Sequence, residues 1–397
     1  MNLITKDAVA DVRFTLSWET PEARHTEVYR APQLNLWRDI LPHDIHDGLM
    51  GSGAGDSVEM DVTAHLPAYR PSESFTLKRS RFGDTLLGAP RIGRFYPKGL
   101  LKDVTGVFPQ NISPFRCIHV ENGHIQVEFN HPLSKRSAHL VAEVMKVDEK
   151  KIERGGTVMD WLETVSEGPG MQARWCGHPT DFFADAPFLR DDEAPDGRFY
   201  SKPRFVHHLD AAAIEVIKAL YARFLDDGAH VLDLMSSWTS HLPNDFKAGR
   251  VSGLGMNIAE LEQNTALTDR VIHDLNIDPE LPYPSETFDV ILCTVSVEYL
   301  TQPQSVFDEM ARVLKPRGIA VVTFSNRWFP PKAIRIWKHL HEFERMGLVL
   351  EYFERSGRFG GLETYSVRGL PRPWDDKYYP QMRYSDPVYA VWGRKLS

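Results

Sequence analysis

Between Arg198 and Asp210 the chain gathers a phenol at Tyr200, a guanidinium at Arg204 and adjacent imidazoles at His207 and His208. Imidazoles titrate near neutrality and accept protons, and phenols orient what they act on. A solvated loop with packing histidines accounts for any one of these residues; their grouping points to acceptor binding, Tyr200 and His207 first. The second centre is a turn. Val231 to Trp238 reads as a buried strand that stops sharply, and Val251 to Asn257 as a second strand. Strand, turn, helix and strand in this order opens a nucleotide-binding α/β sheet, where backbone amides and a helix N-terminus meet the ligand. Yet Met235, Ser236, Ser237 and Trp238 stand where such turns use glycine for close approach and positive φ.

The elements that must position these residues follow from periodicity and stop signals. Asp210 is placed to cap a helix over Ala211–Leu225, with Ile214, Ile217, Leu220 and Leu225 at helical spacing. Downstream, a helix at 258–263, a strand end at Val271–Asn276 and an apolar strand at Phe288–Cys293 are predicted. A helix at Ser305–Leu314, a strand at Ile319–Phe324 and a helix at Ala333–Met346 come next. The last two strands are placed at 348–354 and 387–394. Alternating strands and helices imply a doubly wound parallel sheet.

The bulk properties set limits. The 397 residues suffice for two or three domains, and a net charge of −8 argues against broad nucleic-acid or anionic-membrane binding. Cys117, Cys176 and Cys293 are far apart, without the spacing of a zinc site or disulfide framework, so a reducing cytoplasm is expected. No apolar run approaches membrane-spanning length. The oligomeric state stays open, a homodimer included.

Residues 1–150 read as β-rich, with strands at Asp11–Trp18, Ser57–Val62, Ser113–Val120, Ile125–Phe129 and Ala138–Val147. Leu34–Met50 is expected to hold one helix, and Asn122-Gly123 between alternating runs is a hairpin signal. The sequence from Ile125 through Asn130, His131, Pro132 and Leu133 into Ala138–Val147 resembles the FKBP-type prolyl isomerases, in particular the SlyD-like branch. The resemblance implies an α+β domain with an apolar groove, where Tyr69 falls on the groove tyrosine and Leu41 and Ile45 near its aliphatic wall. Arg70 replaces the usual glycine after that tyrosine, and the expected acid is missing near Tyr29–Pro32. These departures favour a structural or docking module over a prolyl isomerase. His131 is accounted for by its turn. Residues 151–198 form a linker and strap.

Residues 199–397 resemble the class I S-adenosylmethionine-dependent methyltransferases, small-molecule branch. The resemblance rests on Leu281-Pro282-Tyr283-Pro284, Phe288-Asp289-Val290-Ile291, Tyr299-Leu300 and the helix ending in Lys315-Pro316-Arg317-Gly318. It implies a Rossmann-like fold and S-adenosylmethionine as cofactor. Asp274 with the amide of Leu275 would read the adenine edge. The usual acid for the ribose aligns with Gly255, leaving the Asn257 amide to take that role. Asp233, Ser236, Ser237, Trp238 and Val295 complete the expected cofactor set, the serines offering hydroxyl and amide donors.

Methyl transfer needs an aligned acceptor and, where necessary, a base. No Asn-Pro-Pro-Tyr-type run follows the fourth strand, which argues against adenine or glutamine amino groups as acceptors. A small acceptor remains. A thiol or sulfide needs little base catalysis, whereas an oxygen acceptor would need a base such as His207. Tyr200, His207, Tyr299 and Arg327 are the expected acceptor-side residues. Two other outcomes are a protein-directed enzyme whose first domain recruits prolyl-containing substrates, and a non-catalytic binding module.

Overall fold

The structure, a computed structural model, describes residues 2–83, 87–149 and 155–397. Residues 8–149 supply strands β1 (Ala8–Glu19), β2 (Ala23–Asn35), β3 (Ser57–Asp61), β4 (Ser74–Lys78), β5 (Phe95–Pro97), β6 (Pro114–Glu121), β7 (His124–Glu128) and β8 (Ala138–Glu149), with helix α1 (His43–Leu49) after β2. β1 alternates buried and less buried side chains along its length, as a strand with one covered face must. Its inward Val12, Phe14 and Leu16 pack with Ile45, Leu49, Trp161 and Val165. Between β3 and β8 the chain builds a separate antiparallel sheet in the order β4-β7-β6-β5, with its own core of Phe82, Tyr96, Phe115, Ile125 and Val127.

A strap with two short helices, α2 (Trp161–Ser166) and α3 (Asp196–Tyr200), leads to α4 (Ala211–Tyr221). The second half then supplies β9 (His230–Ser236), β10 (Arg250–Gly255), α5 (Ile258–Gln263), β11 (Asp269–Ile272), β12 (Phe288–Thr294), α6 (Pro303–Val313), β13 (Leu314–Phe324), α7 (Arg335–His339), α8 (Glu342–Ser356), β14 (Phe359–Arg368) and β15 (Val388–Lys395). The main sheet has eleven strands in the order β11-β10-β9-β12-β13-β15-β14-β2-β1-β8-β3. Strands β9 to β13 are parallel, and β15 runs antiparallel to both β13 and β14. The order reverses between β9 and β12, which places a crevice at their carboxyl ends.

The two halves are joined through hydrogen-bonded strands. β2 pairs in parallel with β14, from Ala23 opposite Leu362 to Tyr29 opposite Arg368. The seam is polar and buried. His25 Nδ1 lies 2.7 Å from Thr364 Oγ1, and Glu27 accepts from Ser366 and, at 2.7 Å, from Gln172 Nε2. Burial raises the Glu27 pKa to about 7.

Three expectations are corrected. Residues 348–354 are helical, not a strand. They lie inside α8, which His341 and Glu344 open as a capping box and Gly357 closes at φ 64°. That helix is buried on nearly every side, from Phe343 to Phe353, so its sequence lacks the polar face of a surface helix. The single helix expected over Ala333–Met346 is split into α7 and the start of α8. Residues 237–249 run as an irregular loop where a helix between the first two strands was expected.

Candidate functional site

A cleft of about 1190 Å³, part of it open to solvent, lies at the carboxyl ends of β9, β10 and β12. It is lined by Tyr200, His207, Asp233, Ser236, Ser237, Trp238, Asn257, Asp274, Leu275, Val295 and Tyr299. These are all the expected site residues except Arg327, which lies in an adjoining chamber.

Polar side chains hold the turn after β9 where glycines would otherwise shape it. Asp233 is buried, and its Oδ2 accepts from Ser236 Oγ at 2.5 Å and Ser240 Oγ at 2.7 Å. Burial raises its pKa to about 6 against the pull of these two hydroxyls. Asn264 Nδ2 donates to the Ser237 carbonyl at 2.9 Å and to Ser240 Oγ at 2.8 Å. Met235 takes φ 58°, the left-handed backbone a glycine would adopt without cost. Ser236 is thus a strut of the turn, with its hydroxyl turned toward Asp233.

Asn257 does not present a free amide. It caps α5, accepting from the Glu260 amide at 3.2 Å, while its Nδ2 donates to the carbonyls of Tyr200 at 2.8 Å and Ser201 at 3.2 Å. Glu260 is the acid at this edge. Its carboxylate accepts from Ser237 Oγ at 2.7 Å and from the Arg204 amide at 2.7 Å, and it lines the cleft. Sequence reasoning missed it, although an Asn followed three residues later by Glu is a helix-start pattern. The expected adenine edge is open. Asp274 Oδ1 accepts from the Asn276 amide at 3.0 Å, and neither Asp274 Oδ2 nor the Leu275 amide has a hydrogen-bond partner among the described residues. Asn276 also ties the strap down, donating to Asp196 Oδ2 at 2.8 Å, and Asp196 in turn pairs with Arg190 and the buried Lys332.

On the opposite side, the His207 ring packs against Trp238 at 4.5 Å and faces His241 at 6.0 Å between centroids. His208 meets Phe329 edge-on at 5.0 Å. Burial lowers the pKa of both His207 and His208, and nearby Lys218 and Arg204 respectively add to the effect. His241 falls to about 4 for the same first reason. The three imidazoles are therefore neutral near pH 7. Tyr299 is buried and its hydroxyl accepts from the Phe329 amide at 2.9 Å.

Arg327 donates to Asp386 at 2.9 Å, and its guanidinium lies 4.4 Å over the Tyr378 ring. Asp386 belongs to a buried network with Arg372 and Asp210. Asp210 caps α4 as expected and also accepts from the Asp386 amide. The chamber is about 730 Å³ and shares His207, His208, Val295, Tyr299 and Phe329 with the main cleft.

The donor set fits S-adenosylmethionine: an open carboxylate–amide pair at Asp274 and Leu275, and an acid at Glu260. Residues 239–322 match the family model described as a methyltransferase domain, starting just past the glycine-less turn. Two solved structures of S-adenosylmethionine-dependent methyltransferases are similar. The one from Aquifex aeolicus is 15% identical, with 51% of this chain and 97% of the other covered at a TM-score of 0.32. The one from Mesorhizobium loti is 17% identical, with 45% and 96% covered at a TM-score of 0.30. No curated protein matches the chain. The matched domain carries the enzyme class, a methyltransferase, and the cofactor, S-adenosylmethionine.

Proposed function

We propose that this S-adenosylmethionine-dependent methyltransferase methylates the sulfur of a small thiol held in the chamber beside the cofactor cleft. The wall shared by cleft and chamber carries this proposal: His207, His208, Val295, Tyr299 and Phe329 line both spaces. When bound, the cofactor supplies an electrophilic methyl carbon on a sulfonium. The chain has to hold the acceptor in line and take its proton. His207 is neutral and makes no side-chain hydrogen bond among the described residues, so its ring can accept that proton. An imidazole below pKa 6.5 is a weak base. It matches a thiol near about 8.5 far better than an alcohol. Lys377 lines the chamber without an ion pair among the described residues and would favour the thiolate. Arg327 holds the chamber wall through Asp386, and Tyr200 closes the cleft from α3.

On the cofactor side, Asp274 and Leu275 would read adenine and Glu260 the ribose, with Ser237 holding Glu260. Trp238 and Val295 would pack as walls, and Asp233 and Ser236 would fix the turn.

The N-terminal half is proposed to be a SlyD-like FKBP module acting as a scaffold. Its sheet inserted between β3 and β8, and the return through Asn130–Leu133, support this. Against isomerase activity, Lys135 Nζ sits 3.7 Å over the Tyr69 ring and Ile45 is in the core. Cys117, Cys176 and Cys293 are free thiols, which suits a reducing cytoplasm. Among the described residues no helix is long and apolar enough to cross a membrane.

The test is a product scan by mass spectrometry with small thiols, phenols and proline-containing peptides as acceptors. Thioether products from small thiols are expected. Methylated peptides alone would transfer the activity to a protein-directed enzyme.

A further inference from the structure

The chain is acidic overall, with a net charge of −8, yet one pocket away from the cofactor cleft is cationic. It measures about 620 Å³ and lies where the inserted sheet, the return turn into β8 and the strap meet. Arg116 on β6 forms its floor. Only 5% of this residue is exposed, and its guanidinium lies 4.3 Å over Phe95 and 5.6 Å from the Trp175 ring. Its guanidinium donates to the carbonyls of Gly170 and Ala173, and no carboxylate pairs with it among the described residues. Burial brings its pKa down to about 10, with Glu128 and Glu344 only partly opposing that fall.

Two more cations line the pocket from the return turn. Neither Lys135 nor Arg136 makes a side-chain hydrogen bond or ion pair among the described residues. Lys135 Nζ rests 4.8 Å from the Trp175 ring. One lining acid faces these charges: Glu128, whose carboxylate accepts from Ser74 and Asn130. Arg174, also in the wall, is satisfied by Glu351 and Glu354. Holding a guanidinium in a buried position without a paired carboxylate is costly, and an added anion offsets that cost.

We propose that this pocket binds a small phosphate-bearing ligand, held by Arg116, Lys135 and Arg136. A tetrahedral dianion can accept hydrogen bonds from several directions at once, which suits cations arriving from a strand and a turn. The pocket, about 620 Å³ and lined in part by Trp175, has space for the organic part of a phosphomonoester.

The experiment is isothermal titration of the full chain at constant ionic strength, with inorganic phosphate, glycerol phosphate and malonate as probes. The variant is Lys135→Gln/Arg136→Gln, two partly exposed changes that leave Arg116 in place. Saturable binding of phosphate or the monoester is expected. It should weaken roughly tenfold or more in the variant, the loss typical of removing charge-assisted hydrogen bonds. Cofactor affinity should stay the same in both proteins. Absence of saturable binding, equal binding by the variant, or tighter binding of malonate than of either phosphate would each overturn the assignment.

Discussion

The carbonyl oxygen of Ser236 stands 2.3 Å from the point a Cβ on residue 255 would occupy. No side chain fits there, so the second strand ends in Gly255 and cannot carry the acid that such sheets place at that position. The missing glycines of the first turn and the missing acid of the second strand are thus one arrangement. A turn built on Asp233, Ser236 and Ser240 swings toward β10, and β10 yields the space.

Gly255→Ala tests this coupling. Overpacking against backbone costs roughly 1–3 kcal/mol, and the displaced element is the cofactor turn itself. Both the unfolding free energy and cofactor affinity should fall, read by urea denaturation and calorimetric titration. A variant with wild-type stability and affinity would show that the turn moves freely.

Sequence legibility tracks the locality of the cause. The strands at Phe288–Cys293 and Ile319–Phe324 were readable because these buried parallel segments are mostly apolar, whereas the polar start of β13 at Leu314–Gly318 read as the end of a helix. Asp274 and Leu275 were readable as a pair because one short segment carries both, and both line the cleft. β2 escaped notice since its buried His25 and Glu27 look like surface residues until Thr364, Ser366 and Gln172 are set beside them. Asn257 was read as a ligand group because nothing local shows that Tyr200 and Ser201 occupy its amide. Arg327 was expected on the acceptor side and lines the adjoining chamber, but its pairing with Asp386, distant in sequence, could not be read locally.

Asn257 and Glu260 can be separated. Asn257→Ala removes a helix cap, worth about 1 kcal/mol of stability. Glu260→Gln keeps the shape and removes the charge. It should weaken cofactor binding roughly tenfold, the scale of one charge-assisted hydrogen bond, with little change in stability. Equal cofactor affinity in Glu260→Gln and wild type would remove Glu260 from the ribose side.

Glu298 offers a pH-dependent test of the packing beneath the cleft. It is fully buried, and neither carboxylate oxygen has a hydrogen-bond partner among the described residues. Burial raises its pKa from 4.5 to about 8, with its own backbone amide and then Arg345 pulling the other way. A carboxyl whose folded pKa exceeds its unfolded one loses stability as pH rises, here from about 4.5 to about 8. Glu298→Gln cannot ionise. Relative to wild type it should gain up to roughly 4 kcal/mol between pH 5 and pH 8.5. Urea midpoints at the two pH values give the difference, and a gap that does not change with pH would place the Glu298 carboxylate in a solvated or paired setting.

His207 is the sharpest test of the chemistry. Its ring lines both the cofactor cleft and the proposed acceptor chamber, and it packs at a tilt against Trp238 without bonding to the cofactor edge at Asp274 and Leu275. Removing a positioned base lowers turnover by up to about 10²–10⁴-fold, with the low end of that range expected for a thiol, part of which ionises without help. His207→Ala should therefore cut kcat with thiol acceptors while cofactor affinity holds within about twofold, a difference near the noise of such cycles. The pH dependence adds a second readout. The imidazole pKa lies below 6.5, so wild-type kcat/KM should fall only in the acid range as the ring gains its proton. His207→Ala should lose that acid limb, and a thiol already ionised at high pH should narrow the gap between the two proteins. Unchanged turnover, or an acid limb that persists in His207→Ala, would move the proton acceptor to His208 on the same shared wall.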